Sequence, residues 1–323
     1  MRAARIIAAA AALVTTVAPA TAQSWPTRPA TMVVPYPAGA GVDVMGRILS
    51  PHLSELLGQQ VIVENVSGAG GMTGAARVAK APPDGYQFVI GNTATHAQIQ
   101  TASKRPAYNA ATDFAPVVLI AQTPQVLLSR KDLPADNLQE FISRAKQANM
   151  QYGSAGVGSP GHLTCALLNA AIGISATHIP YRGAAPALQD LIAGRIDYLC
   201  TIAPSAIPQI ESKTVKVIAV LSRERSSTLP ALASAREQGL GDFDASTWFA
   251  FFFPKATPAA IVEKLRAVTV EAMSNPTVQE RMKEAGSESI ASEHQSSEYL
   301  QKLVVSEIAK WAAVIKSAGI AAE

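Results

Sequence analysis

The chain has 323 residues, of which 48% are apolar and 16% are charged. This composition supports a packed core and excludes a mainly disordered chain, and the length favours two domains. The net charge of +3 is close to neutral, so the sequence carries no electrostatic footprint for nucleic acid.

The N-terminal residues have the pattern of an export signal. Arg2 and Arg5 precede an uncharged, mostly apolar run that ends in the small residues of the Ala20-Thr21-Ala22 site. The run is too short to span a membrane, so residues 1–22 are predicted to be a cleaved signal peptide. No cysteine follows the site, which argues against a lipid anchor. We therefore expect a periplasmic mature protein.

Strand-like and helix-like segments alternate along the mature chain. A first unit is predicted with strands at 31–35, 61–64 and 87–91 and helices at 44–57 and 74–80. A second unit follows residue 119, with strands at 125–129, 151–154, 176–181, 196–201 and 215–221 and helices at 138–148, 163–170, 184–193 and 207–210. The tail adds one helix, an aromatic strand at 247–253 and two long helices from residues 258 and 296. This alternation predicts an α/β protein with two lobes and a cleft.

Three strand ends run into loops of small and hydroxyl-bearing residues, here called the first loop (36–43), the second loop (92–96) and the third loop (154–159). Small residues let a ligand approach the backbone, and free N–H groups at a helix start favour an anion. Asp43 suits a first helical turn, Ser159 suits an N-cap and Pro160 suits the first helical position. The alternative interpretation of each loop is an ordinary turn with a helix cap.

The third loop also contains a dinucleotide-like pattern. Gly156, Gly158 and Gly161 match G-x-G-x-x-G. That fingerprint needs an acidic residue at the end of the next strand, and residues 178–183 contain none. The pattern therefore does not predict a dehydrogenase, and we expect no cofactor.

Signals for other chemistry are weak. Ser154 and Ser159 lack the glycine two positions before them that a nucleophile elbow needs. The five histidines show no metal-ligand spacing, and His96 is more readily explained as a structural residue. Tyr181 and Arg182 either face the cleft or simply end a strand. We expect binding without catalysis, with no catalytic residue and no metal.

Cys165 and Cys200 are the two cysteines of the chain. In an oxidising compartment they form a disulfide or remain as two buried thiols, and the sequence leaves both possibilities open.

An ordered set of motifs resembles the Bug-type extracytoplasmic solute receptors, the binding subunits of tripartite tricarboxylate transporters. The resemblance covers almost the whole mature chain, from Trp25 to Trp311. The motifs, in order, are VVPYPAGAGVD (33–43), VIVENVSGAGG (61–71), DGY (84–86), GNTATH (91–96), YGSAGVGSPGHL (152–163), HIPYRGAAPALQDLIAGRID (178–197), TWFAFFFPKATP (247–258) and EIAKW (307–311).

The resemblance implies a type II periplasmic-binding-protein fold, with two α/β lobes and a ligand cleft between them. Lobe 1 would comprise 23–122 and 223–323, and lobe 2 would comprise 123–222. The implied function is capture of a small organic carboxylate (a di- or tricarboxylate or an aromatic acid) for membrane permease subunits, by a monomer. The implied ligand-binding residues are Tyr36, Gly39, Ala40, Asp43, Asn92, Thr93, Ala94, Thr95, Ser154, Ala155, Gly156, Gly158, Ser159, Tyr181, Ala203 and Pro204.

The first loop departs from the family's usual F-x-P-G-G-x-T-D. Tyr36, Ala38, Ala40 and Val42 stand where Phe, Pro, Gly and Thr are usual. Tyr36 adds a hydroxyl and Ala40 adds a methyl group beside the backbone, so we expect an altered ligand preference. Two further functions stay open at this point: a periplasmic hydrolase of a small organic ester, and a ligand sensor that contacts a signalling partner.

Overall fold

The computed structural model describes residues 25–157, 159–181, 183–241 and 243–317. The predicted signal peptide lies outside these ranges, as do the candidate site residue Gly158 and Arg182. Among the described helices, none is both long and apolar enough to cross a bilayer.

The elements alternate broadly as the sequence predicts. The strands are β1 (Ala30–Val34), β2 (Val61–Asn65), β3 (Gln87–Asn92), β4 (Phe114–Thr123), β5 (Gln125–Arg130), β6 (Gln151–Ser154), β7 (Thr177–Pro180), β8 (Tyr198–Ile202), β9 (Val215–Val220), β10 (Thr247–Pro254) and β11 (Glu288–Ser289). The α-helices are α1 (Gly41–Leu57), α2 (Met72–Ala79), α3 (Ile99–Ala102), α4 (Leu138–Gln147), α5 (Pro160–Ile172), α6 (Ala184–Ile192), α7 (Ala203–Glu211), α8 (Ala259–Ser274), α9 (Pro276–Glu284) and α10 (Ser297–Ser317).

The strands form two sheets. The first has the order β11-β4-β10-β3-β1-β2, and the second has the order β7-β6-β8-β5-β9. In the first sheet β1 pairs in parallel with β2 and β3, and β10 is antiparallel to β3 and β4. In the second sheet β6 pairs in parallel with β7 and β8, and β5 is antiparallel to β8 and β9.

Each sheet is covered by helices on both faces. In the first sheet α1, α8 and α9 pack on one face, and α2 and α10 pack on the other. In the second sheet α4 and α5 cover one face, and α6 and α7 cover the other. Leu163 and Ala166 of α5 also enter the core beneath α10, so the two halves of the molecule touch along these helices.

The chain passes between the two sheets twice. It leaves the first sheet at the end of β4 and enters the second at β5, with only Pro124 between them. It returns between β9 and β10. Near these crossings Gln125 Nε2 donates a hydrogen bond of 3.1 Å to Thr247 Oγ1. The lobe boundaries given above stay a prediction.

One expectation about the elements was wrong, and one strand was not predicted. The helix expected before the aromatic strand is absent from the described residues between β9 and β10, where turns pack instead and Ser234 bridges to Val220. The unpredicted strand is β4, which belongs to the first sheet and ends just before the second unit begins. Its central residues are buried on both faces of the sheet, so they lack the apolar-polar alternation that marks a half-buried strand.

Candidate functional site

Each of the three loops follows a strand at a topological switch point, where two neighbouring strands are followed by helices on opposite faces of the sheet. In the first sheet the neighbouring strands β1 and β3 are followed by helices on opposite faces. In the second sheet β6 leads into α5 on one face, and its neighbour β8 leads into α7 on the other. Open α/β sheets bind ligands in the crevice outside such switch points.

Asp43 anchors the first loop. The residue is 2% exposed, and its carboxylate accepts hydrogen bonds from Gly39 N (2.8 Å), Arg47 Nε (2.9 and 3.0 Å) and Asn65 Nδ2 (2.8 Å). Burial acts to raise the pKa of Asp43, but the hydrogen bonds outweigh it and hold the pKa below its ordinary value. Both carboxylate oxygens are occupied by the protein itself, so this side chain fixes the shape of the loop.

The backbone of the first loop shows which of its small residues are needed. Gly39 has φ of +85°, a conformation that favours glycine. Ala40, the N-cap residue of α1, has an extended backbone that any residue adopts, which explains why alanine fits there.

Tyr36 joins the first loop to two others. Its hydroxyl lies 3.1 Å from Gly70 O and 3.3 Å from Asn92 Oδ1. Burial raises the pKa of Tyr36 to about 12, despite the opposing hydrogen bond with Asn92, so the hydroxyl stays protonated and donates. The hydroxyl that distinguishes this loop from the family pattern therefore bridges to Gly70 and to the second loop.

Side chains of the second loop hold the loop itself. Thr95 N donates to Asn92 Oδ1 at 3.0 Å, and Asn92 N donates to Thr95 Oγ1 at 3.0 Å. This reciprocal pair starts a π-helical turn over Ala94–Gln98. Thr93 Oγ1 accepts a hydrogen bond of 3.0 Å from Trp248 N, which fixes the loop to β10.

His96 is a structural residue, as the sequence interpretation favoured. Its ring stacks on Phe252 with the centroids 3.9 Å apart, and its Nδ1 lies 2.9 Å from Thr95 Oγ1. Burial lowers the pKa of His96 to about 3, which keeps the ring neutral at ordinary pH.

The third loop is built around Ser154. Its Oγ lies 2.7 Å from His178 Nε2, donates to Gly156 O at 2.9 Å and accepts from Gly156 N at 3.1 Å. At the other end of the loop, Ser159 is the N-cap of α5 and accepts from His162 N at 3.4 Å. Pro160 occupies the first turn, so the predicted helix start is confirmed.

A disulfide holds α5 against β8. Cys165 and Cys200 are bonded, with their Cα atoms 5.5 Å apart. One turn earlier in α5, a Cβ on Gly161 would lie 2.5 Å from Cys200 O, so only glycine permits this approach. The amide-bearing start of α5 is therefore fixed directly beside the end of β8.

A cavity of about 440 Å³ opens at this place, between the starts of α5 and α6. It is lined by Gln125, Gly153, Ser154, Ala155, Pro160, Gly161, Ala184, Ala185, Ala187, Leu188, Leu199, Cys200, Thr201 and Ile202. Of the candidate residues, Ser154 and Ala155 lie in its wall. Gln125, Thr201 and the alanines of α6 also line it, although they were not among the residues predicted to bind the ligand. Ala184 and Ala185 follow Gly183 at a strand-to-helix turn, and that small-residue signal resembles the other loops.

The remaining candidates lie around this cavity. Tyr181 N donates to Ser154 O at 3.0 Å, while the Tyr181 hydroxyl donates to Asp190 Oδ2 at 2.7 Å. Ala203 N donates to Pro124 O at 3.0 Å, which ties the start of α7 to the first crossing, and Pro204 follows in the helix. The structure thus joins the first and second loops on one sheet and places the third loop with its cavity on the other.

The terminal EIAKW motif has a structural explanation. Glu307 is buried in α10 and accepts from Trp248 Nε1 at 3.3 Å and from Trp311 Nε1 at 3.0 Å, and it is paired with Lys310. Lys310 Nζ also donates to Asp244 O at 3.2 Å. The motif therefore fastens α10 to the returning crossing. Among the described residues, no group of three or more His, Cys, Asp or Glu side chains is placed to hold a metal ion.

Comparison with known proteins identifies relatives along nearly the whole chain. The sequence model of the "Tripartite tricarboxylate transporter family receptor" matches residues 45–320. The periplasmic binding protein BugD is 35% identical, with a TM-score of 0.74, and the match covers 92% of this chain and 99% of BugD.

Two further solved structures contain ligands. MatC from Rhodopseudomonas palustris, with bound malate, is 35% identical with a TM-score of 0.74, over 90% of this chain and 100% of MatC. Rpa4515 from R. palustris, with adipate, is 35% identical with a TM-score of 0.76, over 92% of this chain and 99% of Rpa4515.

Proposed function

The chain belongs to the tripartite tricarboxylate transporter receptor family, and from this premise we propose that it captures a small organic carboxylate in the periplasm for the membrane subunits of such a transporter. As a family member it has the two-lobed fold of these receptors and is a solute-binding protein rather than an enzyme. The acid itself and the partnership with permease subunits are the proposed part.

The observation that carries the proposal is the cavity at the start of α5. Because Pro160 has no N–H and His162 N donates to Ser159 Oγ, the first turn of α5 offers the amide of Gly161, and the positive end of the helix dipole lies at the same place. Such a helix start is suited to a carboxylate. The relatives with malate and adipate each hold a dicarboxylate, which fits the same chemistry.

The first and second loops provide the opposite wall in this proposal. They sit at the switch point of the first sheet, as the third loop does in the second. Lobe 1 (23–122 with 223–323) and lobe 2 (123–222) would close over the acid, with Tyr36, Asp43 and Asn92 acting by fixing the loop backbones. Closure would trap the acid in a drier site, where hydrogen bonds from amides to a charged group are stronger.

A thermal-shift screen of residues 23–323, refolded to remove any trapped ligand, tests this function. A ligand at about 100 times its Kd adds about 2.7 kcal/mol to the stability of the folded state, enough to raise the Tm by several degrees. We expect a clear shift with di- or tricarboxylates or aromatic acids. The matched neutral control is adipamide beside adipate. Absence of a shift with every acid, or an equal shift with the neutral amide of an acid that binds, would contradict the proposal.

A further inference from the structure

The wall of the cavity beside α5 is mainly hydrocarbon. Seven alanine, leucine and isoleucine side chains line it, and all of them except Ala155 come from α6 and β8. Ala184 and Ala185 are exposed and Leu188 is half-buried, so these apolar groups are open to a ligand. Among the described residues that line the cavity, none carries a charge.

The polar groups of this wall are mostly committed to the protein. Ser154 Oγ already contacts His178 and both polar groups of the Gly156 backbone. Gln125 uses its Nε2 on Thr247, which leaves the buried Oε1 of Gln125 and the hydroxyl of Thr201 as the polar side-chain atoms available in the described wall. Two such atoms are too few for a polyol or for the additional carboxylate and hydroxyl of a citrate-like acid.

The cost of removing polar groups of the ligand from water, compared with the gain from burying its hydrocarbon groups, determines which class of ligand this cavity favours. A set of hydroxyls, or a carboxylate away from the start of α5, would lose water in this cavity without gaining equivalent partners, and that loss is unfavourable. A hydrocarbon group would instead gain about fourfold in affinity for each methylene that it buries.

We propose that the acid bound here has a hydrocarbon body, a ring or a chain, which fills the cavity while its carboxylate meets the Gly161 amide at the start of α5. This inference rests on the proposed function and specifies its ligand class. It makes a citrate-like or polyhydroxylated acid a poor ligand, although such acids carry the same carboxylate.

Isothermal titration of refolded residues 23–323 with two matched pairs tests the inference. Cyclohexanecarboxylate and quinate share a ring and a carboxylate, and adipate and galactarate share a six-carbon dicarboxylate chain; the second member of each pair adds hydroxyls. We expect the hydrocarbon member to bind at least about tenfold more tightly in at least one pair, with neither order reversed. Tighter binding of quinate or galactarate than of its partner, or a preference below about tenfold in both pairs, would overturn the inference.

The proposed function and this inference fail in different ways. If malate or citrate binds and both hydrocarbon acids do not, the inference is wrong and the receptor function stands. If no acid of any class binds, the receptor function fails and the inference fails with it.

A pair of variants on α6 tests whether the preference for a hydrocarbon acid arises from the cavity wall. Leu188→Gln places a polar group in the cavity wall, whereas Ile192→Gln makes the same kind of change at a 43% exposed residue of α6 that does not line the cavity. We expect Leu188→Gln to weaken the hydrocarbon acid about fivefold or more, and Ile192→Gln to leave its Kd unchanged. Equal Kd values for the two variants, or an equal loss for a polar acid in Leu188→Gln, would contradict the role of the cavity.

Discussion

Replacing Ser159 by alanine tests whether the start of α5 holds the carboxylate. Ser159 Oγ accepts the hydrogen bond of His162 N, and its loss removes the N-cap of the helix. Loss of a serine cap lowers the free energy of unfolding by about 1 kcal/mol. In a protein of this size that change lowers the Tm by about 2–4 °C, so the variant stays folded.

Ser159→Ala is also expected to weaken binding of the acid. The Gly161 amide lies in the turn that the cap holds in place, and a hydrogen bond to a charged group contributes about 1.5–3 kcal/mol. Partial loss of this contribution predicts a Kd about five to ten times higher in Ser159→Ala. The Kd is measured by isothermal titration with whichever acid gives the largest thermal shift.

Asn137→Ala is the matched control. Asn137 is the N-cap of α4 in the same half of the molecule, and its side chain accepts from Glu140 N at 2.9 Å. This variant should lose a similar amount of stability but keep the Kd of the unaltered protein, because α4 does not line the cavity. Unchanged affinity in a folded Ser159→Ala, or an equal loss in both variants, would refute the role given to α5.

Three further predictions concern stability. Asp43→Ala leaves Gly39 N and the Asn65 amide without their acceptor, and it should lower the free energy of unfolding in urea by about 2–4 kcal/mol, whereas an unchanged midpoint would show that Asp43 does not anchor the loop. Cys165→Ala with Cys200→Ala should lower it by up to about 4 kcal/mol in the chain-entropy description, and two free thiols in denatured, unreduced protein would contradict the disulfide. Burial lowers the pKa of His162 to about 4, and the stacked His178 is a second cause. In the unfolded chain this ring has its ordinary pKa of about 6.5, so below that pH the unfolded chain binds a proton that the folded protein does not, and the folded protein loses stability. The urea concentration at the unfolding midpoint should therefore be lower at pH 5 than at pH 7, and this decrease should be smaller in His162→Gln. A midpoint that does not change over this pH range would contradict the burial of these rings.

The sequence predicted the alternation of elements, the three loops and the start of α5 because each has a local cause. Ser159 followed by Pro160 specifies a helix start within a few residues, and the structure has that start. Strand β4 and the turns before β10 were not predicted, because burial on both faces and pairing with distant strands leave no local pattern.

The chemistry of the site was predicted less completely. Asp43, Asn92 and Thr95 look like ligand-binding side chains in the sequence, yet their polar atoms are used to hold the loops in place. The hydrocarbon wall of the cavity depends on how α6 packs against β8, and that packing is set by the fold rather than by any one motif.

The most direct test of the receptor account is isothermal titration of refolded residues 23–323 with the acid that stabilises the protein most. The account predicts one acid bound per chain, a negative heat-capacity change from burial of its body, and a weaker Kd in Ser159→Ala but not in Asn137→Ala. Absence of saturable binding to any organic acid, or binding with the same Kd in Ser159→Ala as in the unaltered protein, would contradict it.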